Sequence, residues 1–177
     1  MITPEAVDLK RLRVVTAIVE DHPGVLSRVS GLVRRRGFNI QGLSVGPTGV
    51  PGRSRMTLTV DAGYAEADQV EKQLDRLIEV IELRDVTDSH KLLRELAMVK
   101  VTLTAEREQD ITAEVQSFGG RLLATEGEEA IYELSGEFEA VERFLEVLRP
   151  FGILDIARSG PVAMSGLGGA GGVRAGE

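Results

Sequence analysis

Twice along this chain the apolar residues change period in the same order: strand, helix, strand, strand, helix, strand. In the first half, the β-branched and apolar run from Leu12 to Val19 predicts a strand over about 11–20. Asp21-His22-Pro23-Gly24 interrupts it. Apolar residues then recur at Val25, Leu26, Val29, Leu32 and Val33, the spacing of one helix face over about 24–36. Gly37 stands where a left-handed cap ends a helix, just behind the basic run Arg34-Arg35-Arg36 that suits the helix dipole. Strands follow at about 39–46 and 53–60, joined by a Gly- and Pro-rich loop at 47–52 that is expected to be a mobile hairpin. In the second of these, Met56, Leu58 and Val60 alternate with Arg55, Thr57 and Thr59. A helix over about 65–78, with Val70, Leu74, Leu77 and Ile78 on one face, leads to a fourth strand over about 80–87.

The second half repeats the layout more faintly. A strand covers Ala97–Leu103, and a helix places Ile111, Val115 and Phe118 on one face before Gly119-Gly120 break it. Strands at 121–126 and 129–135 flank a tight turn at Gly127-Glu128. A last helix carries Phe138, Val141, Leu145 and Leu148; Pro150 stops it, and Ile153–Ala157 form the closing strand.

This pattern predicts an α+β chain of two tandem ferredoxin-like β-α-β-β-α-β units. Right-handed crossovers place both helices of a unit on one sheet face. The other face is then open to water, a second domain or a partner chain. The expected divisions are 11–88 for the first domain, 93–162 for the second, and a disordered Gly-rich tail over 165–177. Thr87–Lys91 reads as the connection between the halves.

Several classes of function drop out. The chain has no cysteine and two histidines, His22 and His90, so thiolate metal sites and cysteine nucleophiles are excluded and a metal site is not expected. A net charge of −7 argues against neutralising nucleic-acid phosphates. The first and third strands lack the exposed aromatics that an RNA-recognition module needs. No apolar run approaches the length of a membrane span, and the N-terminus has no secretory pattern, so a cytoplasmic protein is expected. Serines 27, 30, 44 and 54 lack partners for a triad. Glu71, Asp75, Glu79 and Glu82 fall at the spacing of a solvated face. The inventory is that of a binding module, with no catalytic residue and no cofactor in this chain.

The turn at Asp21–Gly24 is the leading site candidate. A helix N-terminus presents unpaired amides and positive dipole charge, which together suit a small carboxylate. An ordinary turn capped by Asp21 explains the same residues about equally well. Asn39, a poor strand former at the start of a strand, is the second candidate, as a turn cap or a ligand contact.

Glu20-Asp21-His22-Pro23-Gly24-Val25-Leu26 between first strand and first helix resembles the ACT domain, a small amino-acid-sensing module. The ordered series Glu20–Val29, Arg35–Ile40, Leu43–Thr48, Ser54–Thr57 and Gln69–Leu74 resembles the regulatory small subunit of acetolactate synthase. Met98–Val101 and Ile156–Gly160 are similar to the second half of that family, so the resemblance spans about 11–165. It implies a non-catalytic subunit that binds a catalytic large subunit and confers feedback inhibition by a branched-chain amino acid, valine first. Thiamine diphosphate, Mg and FAD are expected in that partner. It also implies a homodimer of ACT domains with the effector at the interface. On matching positions, Gly24 and Val25 would offer amides to the effector carboxylate, and Asp21 would meet its amino group, where other members often have Asn. Asn39 and Ile40 of the neighbouring chain would complete the pocket. Leu26, Ile40 and Leu43 are candidates for its apolar wall, and Gly46 matches a position that influences feedback sensitivity. A free-standing tandem ACT sensor acting on another enzyme or on transcription is the alternative.

Overall fold

β1 (Leu12–Glu20) turns Val15, Ala17 and Val19 toward Val25, Val29, Leu32 and Val33 of α1 (Val25–Arg35), and this apolar contact is the core of the first unit. The computed structural model describes residues 12–35, 37–61, 71–88, 91–166 and 174–175, the last two for their backbone alone. Among these, 12–93 with 160 onward form one unit and Arg94–Ser159 the other.

In the first unit, β2 (Asn39–Pro47) and β3 (Arg53–Asp61) form the expected hairpin. A helical segment α2 over 71–74 leads to β4 (Val80–Asp85). The antiparallel sheet has the order β10-β4-β1-β3-β2, β10 being Arg174–Ala175. Met56, Leu58 and Val60 of β3 complete the core beneath α1, each at most 2 % exposed. Burying one such side chain stabilises the fold by roughly 1.5–3 kcal/mol. α1 ends as expected at Gly37, with φ +77°. The Gly37 N–H donates to the Arg34 carbonyl and the Phe38 N–H to that of Val33, the paired bonds of a Schellman cap.

The second unit follows the same plan. β5 (Lys91–Thr102) from Arg94 on, α3 (Glu108–Ser117), β6 (Arg121–Glu126), β7 (Glu129–Gly136), α4 (Phe138–Leu148) and β8 (Ile153–Arg158) give strand order β6-β7-β5-β8. Its core packs Val99, Val101, Ile111, Tyr132, Phe144, Leu148 and Ile153, each at most 1 % exposed. The Phe118 ring meets Phe144 edge-on at 5.9 Å. Gly119 repeats the Schellman cap, with its own N–H on Gln116 and that of Gly120 on Val115. Two antiparallel sheets with helices thus agree with the tandem ferredoxin-like reading.

The helix predicted to reach residue 78 ends at 74: tighter bonds, Leu77 N–H to Leu74 and Val80 N–H to Leu77, turn the chain into β4. Ile78 is therefore 86 % exposed and not on an apolar face, while Val70 lies outside the described residues. The second unit closes at Ser159, before the expected boundary at 162. Of the tail expected to be disordered, Ser165 ends a strand and Arg174–Ala175 pair with β4; 167–173, 176 and 177 lie outside the described residues. His90 and Ser89 of the expected connection, and Arg36, also lie outside them.

The helix-free face of the first sheet, expected to be open to water, a second domain or a partner chain, meets a later segment of this chain. Residues 160–165, ending in β9 (Val162–Ser165), lie across it. Ser44 Oγ donates to the Pro161 carbonyl at 2.6 Å, and the Ala163 N–H donates to Thr57 Oγ1 at 3.2 Å. Ala163 packs with Val14 and Val86 in a second small core. Thr57 and Thr59, which alternate with the apolar residues of β3, are 1 % and 0 % exposed. Thr59 Oγ1 donates to the Gly42 carbonyl at 3.1 Å, so its burial leaves no orphan.

Candidate functional site

Three connections meet at one end of the first unit. β1 delivers Asp21, the hairpin delivers Gly52, and the turn after α2 delivers Glu79. The Asp21 N–H donates to the Gly52 carbonyl and the Glu20 N–H to the Glu79 carbonyl, both at 2.9 Å. The hairpin, expected to be mobile, is knitted internally: Thr48 N–H and Arg53 carbonyl are 3.0 Å apart, and Thr48 Oγ1 receives the Val50 N–H at 3.1 Å.

The turn itself needs Gly24, whose φ of +98° is a conformation that side chains disfavour. Its carbonyl receives the Arg28 N–H at 3.0 Å and opens α1. Asp21, His22, Pro23, Gly24 and Leu26 are exposed, whereas Val25 turns inward at 4 % exposure. Among the described residues no side chain caps the amides of Val25, Leu26 and Ser27. The reading of Asp21 as a simple cap therefore loses its support, and the amides stand available to an anion.

The electrostatics of this end are mixed. His22 Nε2 lies 2.9 Å from Glu20 Oε2 and its Nδ1 lies 3.1 Å from the Pro23 carbonyl. The Pro23 carbonyl, then Glu20, hold the imidazole above its ordinary pKa. Both nitrogens can donate at once only in the imidazolium form. Glu79, read from the sequence as a solvated-face acid, is 3 % exposed. The tight turn after Leu74 carries it inward, where Oε1 pairs with Arg28 of α1 and Oε2 has no partner. No spacing in the sequence marks that burial.

The remaining sequence candidates lie elsewhere in the unit. Asn39 and Ile40 open β2, and Gly46 nearly closes it. β2 pairs antiparallel with β3, as β1 does, so β1 and β2 run the same way. Gly46 is therefore at the Asp21 end, and Asn39 is at the other, roughly 25–30 Å away for a nine-residue strand. Asn39 is exposed, and Ile40 and Leu43 lean on the α1 core. Gly46 lies across from Arg55, in register with the row of Ser44 and Thr57. It therefore belongs to the helix-free face, opposite α1. Within one chain the structure brings Asp21, Gly24, Val25 and Leu26 together, and leaves Asn39, Ile40 and Gly46 apart from them.

Comparison with known proteins covers both units. The family described as AHAS small subunit-like ACT domain matches residues 15–82, and that described as small subunit of acetolactate synthase matches 94–166. The chain is 42 % identical over 151 residues to an acetolactate synthase small subunit of Mycobacterium bovis, covering 85 % of this chain and 90 % of that one. It is 37 % identical over 155 residues to that of Aquifex aeolicus, covering 87 % and 81 %. The crystal structure of an acetolactate synthase small subunit from Thermotoga maritima superposes with a TM-score of 0.78 at 35 % identity, covering 88 % of this chain and 98 % of that one.

Proposed function

Since the chain belongs to the family of acetolactate synthase small subunits, we propose that it is the regulatory subunit of that enzyme, binding a catalytic large subunit and sensing a branched-chain amino acid. The observation that carries the sensing part is the uncapped N-terminus of α1 behind Gly24. An amino-acid carboxylate takes the amides of Val25, Leu26 and Ser27, with His22 beside them on the same turn. Asp21, exposed on the same turn, takes the ammonium group. Leu26, 47 % exposed, offers its side chain to an aliphatic ligand.

The placement of Asn39 favours a two-chain pocket. Among the described residues β2 has a neighbour on one side alone, so its other edge is open to pairing. Two copies that pair through β2 in antiparallel register set the Asn39 end of one chain beside the Gly46 end of the other. The roughly 25–30 Å between these ends within one chain then becomes proximity between two. The apolar wall is completed by Ile40 from that second chain.

The test uses the full chain and its cognate catalytic subunit, with turnover and complex formation on a sizing column as readouts. Turnover rises on mixing, and valine added to the complex lowers it. Absence of both a complex and a gain in turnover overturns the regulatory reading. A complex that valine leaves unchanged overturns the effector alone.

A further inference from the structure

The helix-free face of the first sheet is not wholly covered by residues 160–165. A cleft of about 200 Å³ remains between the edge strand β2, its neighbour β3 and the strand β9. Ser44, Gly46, Pro47, Arg55, Thr57 and Val162 line it. It is open because Gly46 has no side chain: a Cβ built there meets nothing within 4 Å. Its size is below the roughly 300–1,000 Å³ of pockets for drug-sized ligands, which restricts it to a small molecule.

The polar groups of the cleft are specific. Arg55 is half-buried, and no hydrogen bond or ion pair engages its guanidinium among the described residues. Thr57 Oγ1 spends an acceptor position on the Ala163 N–H and keeps its own hydrogen to donate. Ser44 Oγ spends its hydrogen on the Pro161 carbonyl and offers only lone pairs. Pro47 and Val162 are apolar, and Val162 is 54 % exposed. Among the described residues no acidic side chain lines the cleft. A ligand ammonium would find no carboxylate here and would share the space with Arg55.

We propose that this cleft is a second binding site, for a small aliphatic monocarboxylate that carries no ammonium group. Arg55 holds the carboxylate, and Pro47 and Val162 cover the aliphatic body. The site is separate from the α1 turn because it opens on the opposite face of the sheet, and it does not depend on the effector reading. A ligand there touches both β3 and β9, so it reinforces the attachment made by Ser44–Pro161 and Thr57–Ala163.

The experiment is calorimetric titration of the full chain with 3-methylbutanoate, the des-amino counterpart of valine. The acid binds the natural chain; Arg55→Gln weakens it roughly tenfold or more, as loss of a charged hydrogen bond requires. Gly46→Val fills the cleft and abolishes binding there, while Gly24→Asp, which removes any binding of the acid at the α1 turn, leaves the Arg55-dependent binding in place. Should Gly46→Val fail to fold, Arg55→Gln and Gly24→Asp carry the test. Absence of binding by the natural chain overturns the proposal. So does binding that survives Arg55→Gln and is lost in Gly24→Asp, which would place the acid at the α1 turn.

Discussion

Ser44 Oγ donates a hydrogen bond to the Pro161 carbonyl at 2.6 Å, fastening residues 117 positions apart in the chain. The bond is possible because Gly42, two residues earlier on β2, leaves room for the Pro161 ring. A Cβ at Gly42 would lie 2.7 Å from Pro161 Cδ and 2.7 Å from Thr59 Oγ1. Gly42→Val is expected to lift residues 160–165 off the sheet at a cost of about 1–3 kcal/mol, typical of overpacking. Ser44→Ala is expected to cost about 1 kcal/mol through the lost bond. Urea unfolding reads both losses, and limited proteolysis reads new cleavage at 160–165. Unchanged protection in Gly42→Val would show that the attachment does not depend on this contact.

At the α1 turn, Gly24→Asp sets a carboxylate among the free amides and forces a side chain onto a φ of +98°. The strain costs about 1–3 kcal/mol. The larger effect is on binding: valine should no longer raise the melting temperature, because a ligand stabilises only a fold that binds it. Turnover of the complex with the catalytic subunit should be largely kept. A melting shift equal to that of the natural chain would place the effector elsewhere.

His22 makes the turn sensitive to pH. Its folded pKa lies above the usual 6.5, first because of the Pro23 carbonyl and then because of Glu20. The resulting stabilisation of the charged form is fully present below the unfolded value and is lost as pH rises through the folded one. Affinity for a carboxylate at the α1 amides falls over the same interval. An NMR titration of the His22 ring checks the direction, and Glu20→Gln should lower its midpoint. A midpoint at or below 6.5 in the natural chain contradicts the assignment.

In the second unit, Arg158 holds Glu95 with two bonds, at 2.9 and 2.6 Å, and Glu142 with a third at 2.6 Å. Its guanidinium also lies over the Phe138 ring, 5.2 Å from the centroid. The Glu95 side chain is 3 % exposed, so Arg158→Met strands a buried charge at a cost of about 3–5 kcal/mol. Arg158→Lys keeps the charge but not the fork, and recovers only part of the loss. The double change Arg158→Met with Glu95→Met should recover most of it. Urea midpoints distinguish these outcomes; equal midpoints for Arg158→Met and the natural chain would remove the network from the account.

What was legible in the sequence is what neighbouring residues decide among themselves. Gly37 and Gly119 end helices because each needs a left-handed residue, and the Schellman bonds span only five positions. Gly127, with φ +56°, turns the hairpin between β6 and β7 for the same local reason. The turn at Asp21–Gly24 belongs here too, since a strand that becomes a helix exposes its first amides wherever it occurs. The alternation of β3 was legible as well, but not the burial of Thr57 and Thr59 on its second face. The burial of Glu79 escapes the spacing 71, 75, 79, 82, which describes a solvated helix face, because the helix stops at 74.

By itself, then, the sequence determined the order of elements, the helix caps, the two-unit plan and the family, all of which rest on local periodicity or on ordered motifs. Tertiary structure alone decided what lies on each sheet face. It brought residues 160–165 back across the first sheet, buried Thr57 and Thr59, and set Gly46 on the face opposite the α1 turn. The physical reason is that a strand specifies two faces but not their neighbours. Those are chosen by contacts such as Ser44–Pro161, between residues too far apart in the chain for any local pattern to record.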